Sequence, residues 1–219
     1  MKKDKENEII LMTEGFIRSV FDREGSGHDW FHIARVRNLA LNISQKEGGN
    51  RFIIEMAALL HDLDDWKLNG NNQTSRAEEW LMKLGVSSEL CLNILQIISD
   101  VSFKGAGVHN KVRSLEASIV QDADRLDALG AIGIARTFAY GGYKKRLIYH
   151  PDVHPEIHTD AEVYKANNSP TINHFYEKLL LLKDRMNTQA ARIMAIRRHE
   201  FMVRYLDEFF IEWEETFKA

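Results

Sequence analysis

The sequence predicts an all-α protein. Apolar residues recur at three- and four-residue intervals along nearly the whole chain, no long two-residue alternation appears, and all three prolines fall between 150 and 170. The first segment carries Ile9, Met12, Phe16 and Val20 at that spacing, and the second carries Trp30, Ile33, Val36, Ala40 and Ile43. A third helix is expected over 50–62. Ser75 with Glu78 forms a capping-box pattern opening a fourth, which stops at Gly85. A fifth covers about 88–99. The run SLEASIVQDADRLDALG reads as a sixth with a stop at Gly130, after which IGIAR resumes the helical pattern. The Gly-Gly pair at 141–142 and the three prolines mark a long irregular excursion over 141–171, a candidate lid or substrate-binding loop. Two helical patterns close the chain, INHFYEKLLLLKDRMN and one from about 188 to 216. Phe201, Tyr205, Phe209 and Phe210 follow helical spacing in the last, which reads as core. An exposed share of that stripe leaves a symmetric homodimer open.

With 219 residues and 44% hydrophobic content, the chain is long enough to bury a sizeable core and short enough for one domain. A lone cysteine, Cys91, excludes an intramolecular disulfide and any multi-cysteine metal site, and points to a reducing, cytoplasmic setting. The opening MKKDKENEIILM lacks the pattern of a secretory leader, and no segment approaches membrane-spanning length. A net charge of −3 and a pI near 6.3 argue against a nucleic-acid partner. An anionic small molecule stays open, because a pocket needs only a few well-placed cations.

The strongest chemical signal is His61-Asp62, placed straight after the apolar run AALL. Such a pair can simply terminate a helix. Two further candidates, His32 within WFHIARVRNLA and Asp124 within IVQDADRLDALG, also sit beside buried-looking helical stripes. Carboxylates near a core are costly unless paired or bound to a metal, and two imidazoles with two carboxylates form a coherent mixed N/O set for one divalent ion. Histidine ligation favours Mn²⁺ or a later transition ion over Mg²⁺. Lys67, Arg35 and Arg125 lie close in sequence to these residues and could neutralise the charge of an anionic substrate, although Arg35 could equally pair with Asp29 or another acid. Asp122 and Asp127 flank Asp124, and either could hold a histidine or an arginine in place. Arg136 and Tyr140, before the Gly-Gly pair, and His174 and Lys178, four apart, are candidate substrate contacts whose bland alternatives are a helix end and a solvated face. His150, His154 and His158 repeat every four residues but are interrupted by prolines, which suits a loop. His28 reads as the beginning of the second helix, and His109 as a loop residue.

The pattern His32-Ile33-Ala34-Arg35-Val36, then His61-Asp62, then Ala123-Asp124-Arg125-Leu126 resembles the HD superfamily of metal-dependent phosphohydrolases. By motif the resemblance covers roughly 25–140. The helices over about 172–217 are similar to the extension of stand-alone bacterial members, so the whole of 1–219 is read as one compact HD-type domain. The resemblance implies one divalent metal on His32, His61, Asp62 and Asp124, and an acid at Asp65 that handles the attacking water, with Asp64 as its competitor. It implies a nucleotide substrate: a nucleoside triphosphate or deoxynucleotide pyrophosphohydrolase first, a nucleoside monophosphate phosphatase or a non-catalytic nucleotide sensor as alternatives. Asp65 is followed by Trp66 rather than a second acid, a departure from members that hydrolyse the stringent-response alarmone.

Overall fold

The computed structural model describes residues 3–22, 29–64, 75–101, 112–156 and 169–216. Those residues fold into α1 (Lys3–Phe21), α2 (Trp30–Glu47), α3 (Arg51–Leu60), α4 (Arg76–Lys83), α5 (Ser88–Val101), α6 (Leu115–Asp127), α7 (Gly130–Tyr143), the short α8 (Asn173–Glu177), a 3₁₀ segment (Leu179–Arg185) and the long α9 (Gln189–Glu215). Strands are absent among them, and no helix is long and apolar enough to cross a membrane.

Polar side chains start most of the helices where the sequence supplies them. Asp29, Asn50, Ser75, Ser114 and Thr188 each accept a backbone N–H two or three residues into α2, α3, α4, α6 and α9. The centre of the molecule is α2, which packs most extensively on α6 and α3, while α3 also meets α1 and α5. Every residue of α3 from Phe52 to Leu60 is buried, and the burial continues through His61, Asp62 and Leu63. Glu55 is the one charged residue from Phe52 to Leu60, and Arg37 answers it with bonds of 2.8 and 2.5 Å while also reaching Glu14 at 2.9 Å, tying α1, α2 and α3 together. At the other end, α9 lies against α7, α6 and α2, and Glu47 at the end of α2 accepts the Ala190 N–H.

Four expectations are corrected. In α1 Ile9 is buried and Phe16 and Val20 pack against the core as expected, but Met12 is exposed, and Ile10, Thr13, Ile17 and Phe21 complete the buried face instead. Helix α7 does not break at Gly141-Gly142 but runs through to Tyr143. Gly141 is needed there because a Cβ would lie 2.3 Å from Thr171 Oγ1. The run from 172 to 186 is not one α-helix: Lys178 leaves helical geometry at φ −142°, and the chain continues as 3₁₀. Phe201 is exposed, whereas Tyr205, Phe209 and Phe210 pack against the core as expected.

Candidate metal centre

Three helices deliver the site. Asp29 caps α2 by accepting the His32 N–H at 2.8 Å, which fixes His32 in the first turn on the same buried side as Ile33 and Val36. His61 is the C-cap of α3, and its Nδ1 lies 2.8 Å from the Ala58 carbonyl oxygen. A carbonyl only accepts, so Nδ1 carries the proton and Nε2 presents a lone pair. Asp62 follows as the next residue, and α6 brings in Asp124 from the opposite side.

His32 Nε2 lies 3.3 Å from Asp62 Oδ2 and 3.6 Å from Asp124 Oδ1, while His61 Nε2 lies 3.5 Å from Asp62 and 4.0 Å from the same Asp124 oxygen. His32, His61 and Asp62 are buried and place one ligand atom each within 4.8 Å of one another. The Asp124 side chain is 34% exposed and marks the side open to solvent. His61 Nε2 is buried with no hydrogen-bond partner among the described residues. A buried ring nitrogen with its lone pair aimed at two carboxylates is what a divalent cation would satisfy, and the N/O donor set fits such an ion.

Asp127, three residues beyond Asp124, organises the rear of the cluster. Its Oδ2 accepts from His32 Nδ1 at 2.7 Å and from Arg136 Nη1 at 3.0 Å, and its Oδ1 accepts from Arg35 Nε at 2.7 Å. The arrangement puts the His32 proton on Nδ1 and turns Nε2 toward Asp62 and Asp124. Burial opposes charge on both partners. For Asp127 the bonds from His32 and Arg35 outweigh that penalty and hold the carboxyl well below the usual range. For His32 the bonds to Asp127 and Asp62 outweigh it and raise the imidazole to about 9.

The other sequence candidates separate. Arg35 is engaged by Asp127, the structural alternative left open above, and Arg136 joins it there. Arg125 donates to the Arg185 carbonyl oxygen instead. Tyr140 lies under the cations of Lys144 and Arg146, one helical turn beyond Arg136. His174 is in α8, but Lys178 is its C-cap, so the shared helix face expected for the two does not form. Asp122 faces away from the metal cluster and accepts from the backbone and side chain of Asn187 and of Thr188 at 2.7–3.1 Å. Asp64 accepts from Ser75 Oγ and from the Arg76 and Ala77 N–H groups at 2.7–3.1 Å, capping α4. Asp65, Lys67, His28, His109 and His158 lie outside the described residues. Arg198 of α9, which donates to the Leu126 carbonyl oxygen and adds positive potential at Asp127, had no signal in the sequence, since it lies 72 positions away.

A family model of the HD domain matches residues 30–129, the span that contains the four clustered side chains and Asp127 only two positions from its end. A solved HD-superfamily hydrolase from Bacillus thuringiensis is 45% identical, with 95% of this chain and 98% of that one covered and a TM-score of 0.74. The chain belongs to the HD superfamily. It is similar also to a solved Lactobacillus plantarum protein, at 34% identity over 98% of this chain and 99% of that one, with a TM-score of 0.87. Bacillus subtilis YpgQ is 39% identical over 209 residues, 94% of this chain and 93% of that protein. The crystal structure of YpgQ in complex with ADP has a TM-score of 0.74 and covers 93% of this chain and 97% of its own. Membership of the HD superfamily makes this chain a metal-dependent phosphohydrolase, and the His32, His61 and Asp62 cluster is the place in the fold that suits the metal.

Proposed function

We propose that this protein hydrolyses nucleotides, acting as a nucleoside triphosphate or deoxynucleotide pyrophosphohydrolase with one divalent ion held by His32, His61, Asp62 and Asp124. The observation that carries the nucleotide class is the ADP complex of YpgQ, a relative matched over nearly its whole length. The ion, with Mn²⁺ favoured by the histidine ligands, supplies Lewis acidity toward a phosphoryl oxygen and acidifies water.

The chain's own residues divide the remaining work. His61 offers its Nε2 lone pair because the Ala58 carbonyl holds the Nδ1 proton, and His32, whose Nδ1 proton is held by Asp127, would give up its Nε2 proton to offer the second lone pair to the ion. Asp62 and Asp124 bring two negative charges that offset those of the cation. Of the two acids that compete for the attacking water, Asp64 is saturated by three capping bonds, which favours Asp65 as the group that orients the water and takes its proton. Lys67 is the cation assigned to the phosphates, since Arg35 and Arg136 are held by Asp127 and Arg125 by the Arg185 carbonyl.

The test is a panel of nucleoside mono-, di- and triphosphates incubated with metal-stripped protein and added Mn²⁺ or Mg²⁺, with phosphorus products identified and His61→Ala as control. Pyrophosphate from triphosphates, lost in the variant, is expected. Orthophosphate from monophosphates alone would make the protein a nucleotidase, and binding of nucleotides without turnover would make it a sensor.

A further inference from the structure

The last turn of α7 closes with a hydrogen-bond pattern that usually calls for glycine. The Lys145 N–H donates to the Gly142 carbonyl oxygen at 3.0 Å and the Arg146 N–H to the Gly141 carbonyl oxygen at 2.9 Å, the paired bonds of a helix end whose first donor sits in the left-handed region. Lys145 holds φ +55° there, the only residue other than glycine with a positive φ among those described. A side chain is disfavoured in that conformation, so a lysine kept at this position points to a use for its cation.

Lys145 and Arg146 line a cleft of about 430 Å³, enough for a small organic molecule, and none of its lining residues belongs to the metal centre. Backbone bonds fix its walls. Thr171 and Ile172 donate their N–H groups to the Leu147 and Ile148 carbonyl oxygens at 2.8 and 2.9 Å, and Asn173 Nδ2 donates to the Val153 carbonyl oxygen at 2.9 Å. Arg146 is half-buried, with its guanidinium carbon 5.8 Å from the centre of the Tyr140 ring. His150 Nδ1 accepts the Asp152 N–H at 3.2 Å, which leaves the ring proton on Nε2 as a donor. The rest of the lining differs in character. Leu147, Val153 and Pro170 are apolar. The buried Glu177 carboxylate accepts from Ser169 Oγ at 3.1 and 3.3 Å and from the Glu156 N–H at 3.4 Å.

We propose that this cleft binds a sugar phosphate, either free or as part of a nucleoside monophosphate, with the phosphate monoester against Lys145, Arg146 and His150 and the sugar hydroxyls donating to Glu177. The cations match the monoester dianion, and the apolar side chains match the carbons of the sugar. The carboxylate accepts from hydroxyls and repels a second phosphate. The site is independent of the reaction proposed at the metal centre.

Isothermal titration calorimetry of the full chain loaded with Mn²⁺, with ribose 5-phosphate, AMP and inorganic phosphate as separate probes, tests it. Ribose 5-phosphate should bind more tightly than inorganic phosphate. AMP binding tighter still would make a nucleotide the ligand, and equal affinity would make it a free sugar phosphate. Arg146→Ala should weaken ribose 5-phosphate by about tenfold or more. Lys145→Gly should weaken it similarly while raising the Tm by about 2–4 °C, because glycine relieves the left-handed turn. That opposition separates a binding role from a structural one. His61→Ala should leave ribose 5-phosphate binding in place. Ribose 5-phosphate that binds no better than inorganic phosphate, binding lost in His61→Ala but kept in Arg146→Ala, or a Lys145→Gly variant that keeps its affinity would each overturn the proposal.

Discussion

Two aspartates two residues apart on α6 have opposite tasks. Asp124 points its carboxylate at His32 and His61, whereas Asp122 is buried on another face and accepts from Asn187 and Thr188. Removing Asp122 strands several buried N–H donors, which costs stability. Asp122→Ala is therefore expected to lose about 3 kcal/mol of folding stability in denaturant titration and to keep its Mn²⁺ affinity. Asp124→Ala should do the reverse, losing metal in calorimetric titration with little change in the unfolding midpoint. Asp127 is different again, since it touches His32 only at the far nitrogen. Asp127→Asn should keep the fold but weaken Mn²⁺ binding by roughly 10- to 100-fold, because a carboxamide no longer fixes the His32 proton on Nδ1 with a full negative charge. Unchanged affinity in that variant would contradict the orienting role.

At the scale of helices, close approach matters as much as the apolar pattern. Gly141 lets α7 continue past the point where Thr171 presses on it, and Thr171 in turn donates its backbone N–H to the Leu147 carbonyl oxygen. Gly141→Ala is expected to cost about 1–3 kcal/mol by overpacking, and adding Thr171→Ala should recover part of that loss. Additive effects in thermal unfolding would show that the two do not meet. The same pair explains what the sequence could not reveal. A Gly-Gly dipeptide after an aromatic residue reads as a break, and the reason it is not one sits thirty positions downstream. Helices with a polar cap and an apolar stripe, such as α4 and α9, were legible in extent, although Phe201 of α9 lies outside the buried stripe. The stretch after Glu177 was not, because leucines at every position of LLLL satisfy an α-helix and a 3₁₀ segment equally well. His32, His61, Asp62 and Asp124 could be named from motif order, but their convergence could not. That depends on α2 packing between α3 and α6, a fact of the tertiary structure.

On the scale of the whole molecule, the HD helices and the C-terminal helices meet at the candidate site rather than lying side by side. Helix α9 reaches the end of α6 through Arg198 at the Leu126 carbonyl, and the segment before α9 receives Arg125 at the Arg185 carbonyl and clasps Asp122 through Asn187. The C-terminal third thus braces α6, which carries both Asp124 and Asp127. The proposed site of one divalent ion is where α2, α3 and α6 converge. Anomalous diffraction at the manganese edge from crystals grown with Mn²⁺ tests it most directly. A single strong peak contacted by His32 Nε2, His61 Nε2, Asp62 and Asp124 is expected, and it should be absent from His61→Ala crystals. A peak elsewhere in the chain, or none at saturating Mn²⁺, would contradict it.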